Sequence, residues 1–174
     1  MGIDFDCRKK NMRLLTIIFL FFTTSCFAQR DKIDYVIFGV YCGECVGHCA
    51  TMFKLEGDKM MVDTSNSYFW NNMLKRKDTI SFSKYEASKE MYQYAKALID
   101  SIPTILLDTN THSCTFGEPD ARDQCGIYLE FKYKGKQKQF YIDTDSEYIP
   151  VWLLKYKASI ENTVNGFYKM VWGR

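Results

Sequence analysis

Long apolar runs are scarce in this 174-residue sequence. The longest, Leu14 to Phe22, covers nine nearly unbroken positions, whereas a membrane-crossing helix takes about 20. A transmembrane anchor of the usual kind is therefore not expected. Histidine is scarce too: His48 and His112 are the only two. Both lie in cysteine-containing turns, and no nucleophile elbow accompanies either. His112 reads as a solvated loop residue. No glycine-rich segment has the spacing of a phosphate cradle.

The short apolar run has a different meaning. Arg8, Lys9, Lys10 and Arg13 precede it as a positive region, and Thr23-Thr24-Ser25-Cys26-Phe27-Ala28 follows with small residues near its end. That order is the anatomy of a secretory signal. Residues 1–28 are thus expected to be a signal peptide cut after Ala28, leaving 29–174 as a single exported domain that begins at Gln29. Met12 competes with Met1 as the start, because Met12-Arg13 alone completes the positive region. Ser25-Cys26 offers a second cut, after which Cys26 would carry lipid, although Thr23 stands where an aliphatic residue usually precedes. The expected location is periplasmic or secreted, with a lipid-anchored form as the alternative.

A surplus of charge of either sign is also missing. The chain carries 23 Lys+Arg and 21 Asp+Glu. Removing the signal takes four basic and two acidic residues and leaves nineteen of each. A neutral domain is not built to attract nucleic acid as a whole. Membrane contact is expected only through the signal or a lipid on Cys26. The 146 remaining residues suit one domain with one core.

Against these scarcities, cysteine is abundant: seven in all, five after the signal is removed, namely Cys42, Cys45, Cys49, Cys114 and Cys125. Exported proteins keep disulfides, and an odd count leaves one thiol over. Cys114 and Cys125 bracket a loop whose closure would stabilise the fold by about 3 kcal/mol. A link from the first cluster to Cys125 fits equally well, because both lie at hairpin entrances.

The elements follow from periodicity. Ile33 to Tyr41 is rich in β-branched and aromatic residues and reads as a strand. Ala50–Leu55 and Lys59–Asp63 flank a Gly-containing turn and read as a hairpin. Thr64 to Lys77 reads as a long loop pinned by Tyr68, Phe69 and Trp70, a trio that otherwise offers a binding ledge for a glycan or partner. Thr79 to Phe82 reads as a short edge strand. Ser83 and Glu86 form a capping box for a helix carrying Tyr85, Met91, Tyr92, Ala95, Leu98, Ile99 and Ile102, which Pro103 ends. Asp108 to Gln124 reads as a polar loop.

Gly126–Tyr133 and Lys138–Asp143 form the clearest hairpin, with Ile127, Leu129, Phe131 and Tyr133 on one side of the first strand and Phe140 and Ile142 on one face of the second. Lys132, Lys134, Lys136 and Lys138 around its tip read as guards of an exposed edge. Pro150 opens a final helix with Trp152, Tyr156, Ile160, Thr163 and Phe167 on one face. The fold class expected is α+β: two β-β-α units forming an antiparallel sheet with helices packed on one face.

Two motifs stand before the two hairpins: Tyr41-Cys42-Gly43-Glu44-Cys45-Val46-Gly47-His48-Cys49, and Phe116-Gly117-x-Pro119-Asp120-x-x-Asp123-Gln124-x-Gly126-Ile127-Tyr128. Together they resemble an uncharacterised family of small exported bacterial proteins, over most of the chain after the signal. The resemblance implies a fold and no activity. It also implies cysteines on either side of the Pro-Asp pair, where this sequence has Glu118 and Ala121.

Three chemistries fit the cysteines. Structural disulfides are the first, in a non-enzymatic envelope or surface protein that binds another protein or an envelope component and needs no cofactor. The second is thiol–disulfide exchange. Cys42-Gly43-Glu44-Cys45 after a strand resembles the thioredoxin active site, and Ile102-Pro103-Thr104 resembles its proline turn. That chemistry places Cys42 at a helix N-terminus as nucleophile and Cys45 as resolving thiol. The third is a zinc site at Cys42, Cys45, His48 and Cys49, with His112, Cys114 or Cys125 as supplementary ligands. A c-type haem is excluded because Val46, not histidine, follows Cys45. Asp120, Arg122 and Asp123 read as a loop-bracing charged cluster.

Overall fold

The computed structural model describes residues 33–42, 50–63, 81–83, 87–108, 110–119 and 125–173. Residues Ile33–Arg174 form one of two compact units; the other, Met1–Lys32, lies outside the described residues. The expected loop from Thr64 to Lys77, with Tyr68, Phe69 and Trp70, lies outside them as well.

Strand β1 (Ile33–Cys42) carries apolar side chains at successive positions, so both of its faces must be buried. It lies inside the sheet, between β2 (Ala50–Glu56) and β6 (Cys125–Tyr133). β2 turns back into β3 (Lys59–Asp63), and the two-residue strand β4 (Phe82–Ser83) pairs with β3. β6 returns through Lys134-Gly135, both at positive φ as a tight hairpin turn requires, into β7 (Lys136–Asp143). A three-residue strand, β5 (Cys114–Phe116), completes the order β4-β3-β2-β1-β6-β7-β5. The architecture is α+β.

The sheet is mixed rather than wholly antiparallel, since β5 runs parallel to β7. The polar segment from Asp108 to Gln124 gives no sign of this strand, because three residues are too few to display a period of two.

Alternation along β1 sorts side chains to two sides. Val36 and Phe38 belong to one buried cluster with Met91, Ala95 and Leu98 of helix α1 (Lys89–Asp100) and Leu153, Ile160 and Phe167 of helix α3 (Val151–Trp172). Phe38, Phe53 and Phe167 meet at its centre with ring centroids 5.2–6.1 Å apart. Ile37 and Tyr41 point the other way and join Met52 and Tyr128 in a second, smaller cluster.

Helix α1 begins later than the Ser83–Glu86 box suggests. Ser83 is held extended in β4, and its Oγ donates to the Val62 carbonyl at 3.4 Å. Ser88 is the cap, its Oγ accepting from the Met91 amide at 3.2 Å. Both serines offer the same hydroxyl, and pairing with β3 decides which one is free to cap. The inward face of α3 also differs by one position at two places. Leu153 and Val164 are buried, whereas Trp152 stays 41% exposed at the rim, edge-on to Phe116 at 5.7 Å. Thr163 instead donates to the Ser159 carbonyl along the helix at 2.7 Å.

Lys138 overturns the expectation of an edge guard. It shares a face of β7 with Phe140 and Ile142 and is 3% exposed. Its Nζ donates to the Leu106 carbonyl at 2.9 Å and to that of Asp108, closing the end of the short helix α2 (Thr104–Leu107). Burial lowers the pKa of this ammonium, with Asp108 opposing the shift. The apolar stem packs while the charged head reaches backbone oxygen. Lys134 and Lys136 remain exposed at the tip.

Replacing Ser88 by Ala is expected to lower the unfolding free energy by about 1 kcal/mol in a denaturant titration. The same change at Ser83 is expected to leave the helical circular dichroism of the folded protein unaltered.

Candidate functional site

The two motifs meet at one end of the sheet. Antiparallel pairing sets Tyr41 opposite Gly126 and Cys42 opposite Cys125, and Gly126 in turn lies opposite Asp143. Each contact in this row has a local cause. Gly126 has no side chain because the Tyr41 ring occupies the space: a Cβ there would overlap Cζ and Oη of the tyrosine. Gly117 follows β5 at φ +74°, and a Cβ on it would stand 2.6 Å from that of Asp143.

Asp143 is the anchor of the second motif. It is 1% exposed. Its Oδ2 accepts from the Glu118 amide at 2.8 Å and its Oδ1 from the Asp145 amide at 2.8 Å. A buried carboxylate is tolerable because backbone donors serve both oxygens. The Phe116-Gly117-Glu118 turn is thus folded onto the end of β7. Thr144 adds a bond from its Oγ1 to the Cys125 carbonyl at 2.6 Å.

A disulfide joins Cys42 to Cys125 across 83 residues of sequence, with Cα atoms 4.0 Å apart. Closing a loop of that length stabilises by about 4–5 kcal/mol in the chain-entropy account. Of the two linkages the spacing allowed, the one from the first cluster to Cys125 forms, and the Cys114–Cys125 bracket does not. Cys114 is exposed with a free thiol, and partial desolvation of the sulfur pushes its pKa up, away from an activated thiolate. Cys45, His48 and Cys49 lie outside the described residues, as do Asp120, Ala121, Arg122 and Asp123. His112 is exposed, as a solvated loop residue should be.

The helix start expected for a nucleophilic Cys42 would fall within residues 43–49, which lie outside the described residues. Cys42 is the last residue of β1, and β2 begins at Ala50 and runs back beside it. Pro103 and Thr104 open α2. Among the described residues, no three His, Cys, Asp or Glu side chains gather as metal ligands. With Cys42 bonded to Cys125, the Cys42, Cys45, His48 and Cys49 set lacks its first thiolate in this structure.

A second polar centre escaped the sequence reading. Glu130, 6% exposed, lies on the sheet face of the Tyr41 cluster. Tyr35 Oη donates to its Oε1 at 2.7 Å, Gln139 Nε2 to its Oε2 at 2.8 Å, and Tyr128 Oη to the same Oε2. Burial, then the bond to Glu130, pushes the Tyr35 and Tyr128 phenols well above their ordinary range; burial and the Glu130 charge do so for Tyr141. Lys54 Nζ stands 4.9 Å over the Tyr35 ring and bonds Glu56 at 2.8 Å. The carboxylate is spent on its donors, so this cluster braces the sheet rather than moving protons. Period-two alternation was the available signal, since it sets Tyr128 and Glu130 of β6 and their partners Tyr141 and Gln139 of β7 on the same face of the sheet.

Among the described residues, no helix is long and apolar enough to cross a membrane. The chain matches no known family model, and no curated protein matches it.

Gly126→Ala is expected to cost about 1–3 kcal/mol by overpacking against Tyr41. Adding Tyr41→Ala should return part of that loss in a double-mutant cycle of unfolding free energies. Alkali should unfold the protein cooperatively. Tyr35, Tyr128, Tyr141 and the fully buried Tyr156 all have raised folded pKa values. Their contribution is therefore complete below the unfolded value of about 10 and is lost as pH climbs past it toward the folded values. Tyrosinate absorbance from these residues should rise together with the loss of circular dichroism; ionisation well before unfolding would contradict the assignment.

Proposed function

We propose that this chain is an exported, non-enzymatic binding module of the cell envelope or surface whose cysteines are mainly structural. Residues 1–28 serve as the signal in this reading, and 29–174 form the exported domain. Its partner is a protein or an envelope component, not nucleic acid. It meets a membrane only through the signal or a lipid on Cys26.

The observation that supports the reading is the Cys42–Cys125 bond. It ties together the strand ends from which residues 43–49 and 120–124 continue, so both motifs spring from one braced edge. Binding residues commonly sit on connecting segments held by a rigid scaffold. Disulfides also persist in exported compartments and are rare in reducing ones. Asp143 and Glu130 are both consumed by internal hydrogen bonds, which turns the described carboxylates of this region toward support.

The finer fold reading belongs to the same proposal: β2–β3 with α1, and β6–β7 with α3, as two β-β-α units whose helices cover one face. The shared cluster of Phe38, Leu98 and Phe167 favours it. So does the resemblance carried by the two cysteine- and glycine-bearing motifs.

Protein recovered from the envelope of its own host is expected to begin at Gln29 by intact mass. It should show no turnover with small dithiol or disulfide substrates. Turnover that vanishes in Cys42→Ser would overturn the reading in favour of an oxidoreductase using Cys42 and Cys45. Stoichiometric zinc in native mass spectra, lost with Cys45→Ser or His48→Ala, would overturn it in favour of a metal module.

A further inference from the structure

The disulfide occupies a particular rung of the sheet. Antiparallel neighbours alternate between wide pairs, about 5.5 Å between Cα atoms and doubly hydrogen-bonded, and narrow pairs of about 4.5 Å that exchange no backbone bonds. At 4.0 Å, Cys42 and Cys125 form a narrow pair. Alternation then makes Tyr41 and Gly126 the hydrogen-bonded pair beside it. At the level of the cysteines, the S–S bond is therefore the link between β1 and β6. Among the described residues it is also the last rung, with Cys42 at the end of β1 and Cys125 at the start of β6.

The apolar clusters of the sheet lie apart from this rung. Neither cysteine belongs to either buried cluster. From Tyr41–Gly126 inward, the ladder is backed by Phe38, Leu129 and their neighbours. The Tyr41 ring against Gly126 closes the next rung by packing. Both cysteines are only partly buried, and alternation turns both sulfurs to the side of the sheet that carries Phe38 and Leu129.

We propose that the Cys42–Cys125 bond is a redox-sensitive latch: reduction by a dithiol frees the motif-bearing end of the sheet while the rest stays folded. One thiolate of the dithiol attacks either cysteine Sγ, and the S–S bond breaks. The other cysteine leaves as a thiolate and takes up a proton. The second reductant thiol then displaces the bound cysteine. The protein gains two electrons and two protons as two thiols, and the dithiol ends as a disulfide. This inference rests on the structural reading of the cysteines and adds a control to it. In the reduced state, Cys42 and Cys125 no longer fix the separation of the chains that continue into 43–49 and 120–124. Binding at that end would then depend on the thiol poise of the compartment.

The test is amide hydrogen exchange on the full chain, oxidised, reduced with dithiothreitol, and reoxidised, and on the double variant Cys42→Ser, Cys125→Ser. Alkylation and intact mass confirm the thiol count in each sample. Reduction and the double variant are both expected to speed exchange at Tyr41 and Gly126, the hydrogen-bonded pair beside the disulfide, by about tenfold or more, the mark of local opening. Exchange at Phe38, Phe53, Leu129 and Phe140 should rise only as far as the lost cross-link lowers global stability, near-ultraviolet circular dichroism should stay native, and reoxidation should restore the slow rates. Loss of the native near-ultraviolet signal on reduction, no acceleration at the rung, or a double variant that does not fold would each overturn the latch. No ligand enters the measurement, so the result stands apart from the binding proposal, which fails only if turnover or bound zinc is found.

Discussion

The pairing of β1 with β6 is the interaction on which the rest of this structure depends. It joins segments almost a hundred residues apart, Ile33 opposite Tyr133 at one end and Cys42 opposite Cys125 at the other. The entropy of closing so long a loop must be overcome before the contact stabilises anything. β1 meets that cost with side chains that bury on both faces, placing Val36 and Phe38 in one cluster and Ile37 and Tyr41 in the other. The β2–β3 hairpin then extends the sheet on one side and β7 with β5 on the other. Only in this register do the two motifs become neighbours, and a shift of one residue would send every side chain of β1 to the opposite face.

Among the described residues, four charged side chains are buried, and each is answered locally. Asp143 takes two backbone amides, Glu130 two phenols and an amide side chain, Lys138 two carbonyls, and Lys157 a bond to Glu161 at 2.9 Å. A buried charge without partners would cost several kcal/mol. These groups therefore act as constraints. They specify which turn sits on which strand end more than they add to stability, and they explain why Gly117 and Tyr35 occupy their positions. Among the described residues the exception is Tyr156, a buried phenol whose hydroxyl has no hydrogen-bond partner there. Its ring stabilises the core while the unmade bond subtracts from that gain.

Much of the secondary structure was legible. The strands from Ile33, Ala50, Lys59 and Gly126, the stop at Pro103 and the helix after Pro150 follow from side-chain period, β-branching and proline chemistry, all local properties. The errors fall where two local readings were equally good. Ser83 and Ser88 carry the same capping group, Trp152 and Leu153 fit the same helical stripe, and Lys138 has the charge of a surface residue on the apolar stem of a core one. β5 was hidden because a three-residue edge strand is defined by its neighbour, not by its own sequence. Of the candidate site, the cysteine motif and the glycine-bearing loop were visible as motifs, and the link from the first cluster to Cys125 was one of two possibilities. Asp143 and Glu130 were not visible as anchors, because an acidic residue in a strand reads as solvent-facing until its donors are located.

The sequence by itself determined which stretches form strands and helices, that a short apolar run follows a basic stretch between Arg8 and Phe22, and that cysteine is concentrated in two motifs. These depend on residues near one another, where propensity and periodicity act directly. The tertiary structure alone decided that Cys125 bonds to Cys42 and not to Cys114, that β5 lies parallel to β7, and that Asp143 holds the Gly117 turn. Each of these is a contact between distant segments, fixed by sheet register. Register follows from packing both faces of β1 at once, and no local stretch of the chain carries that information.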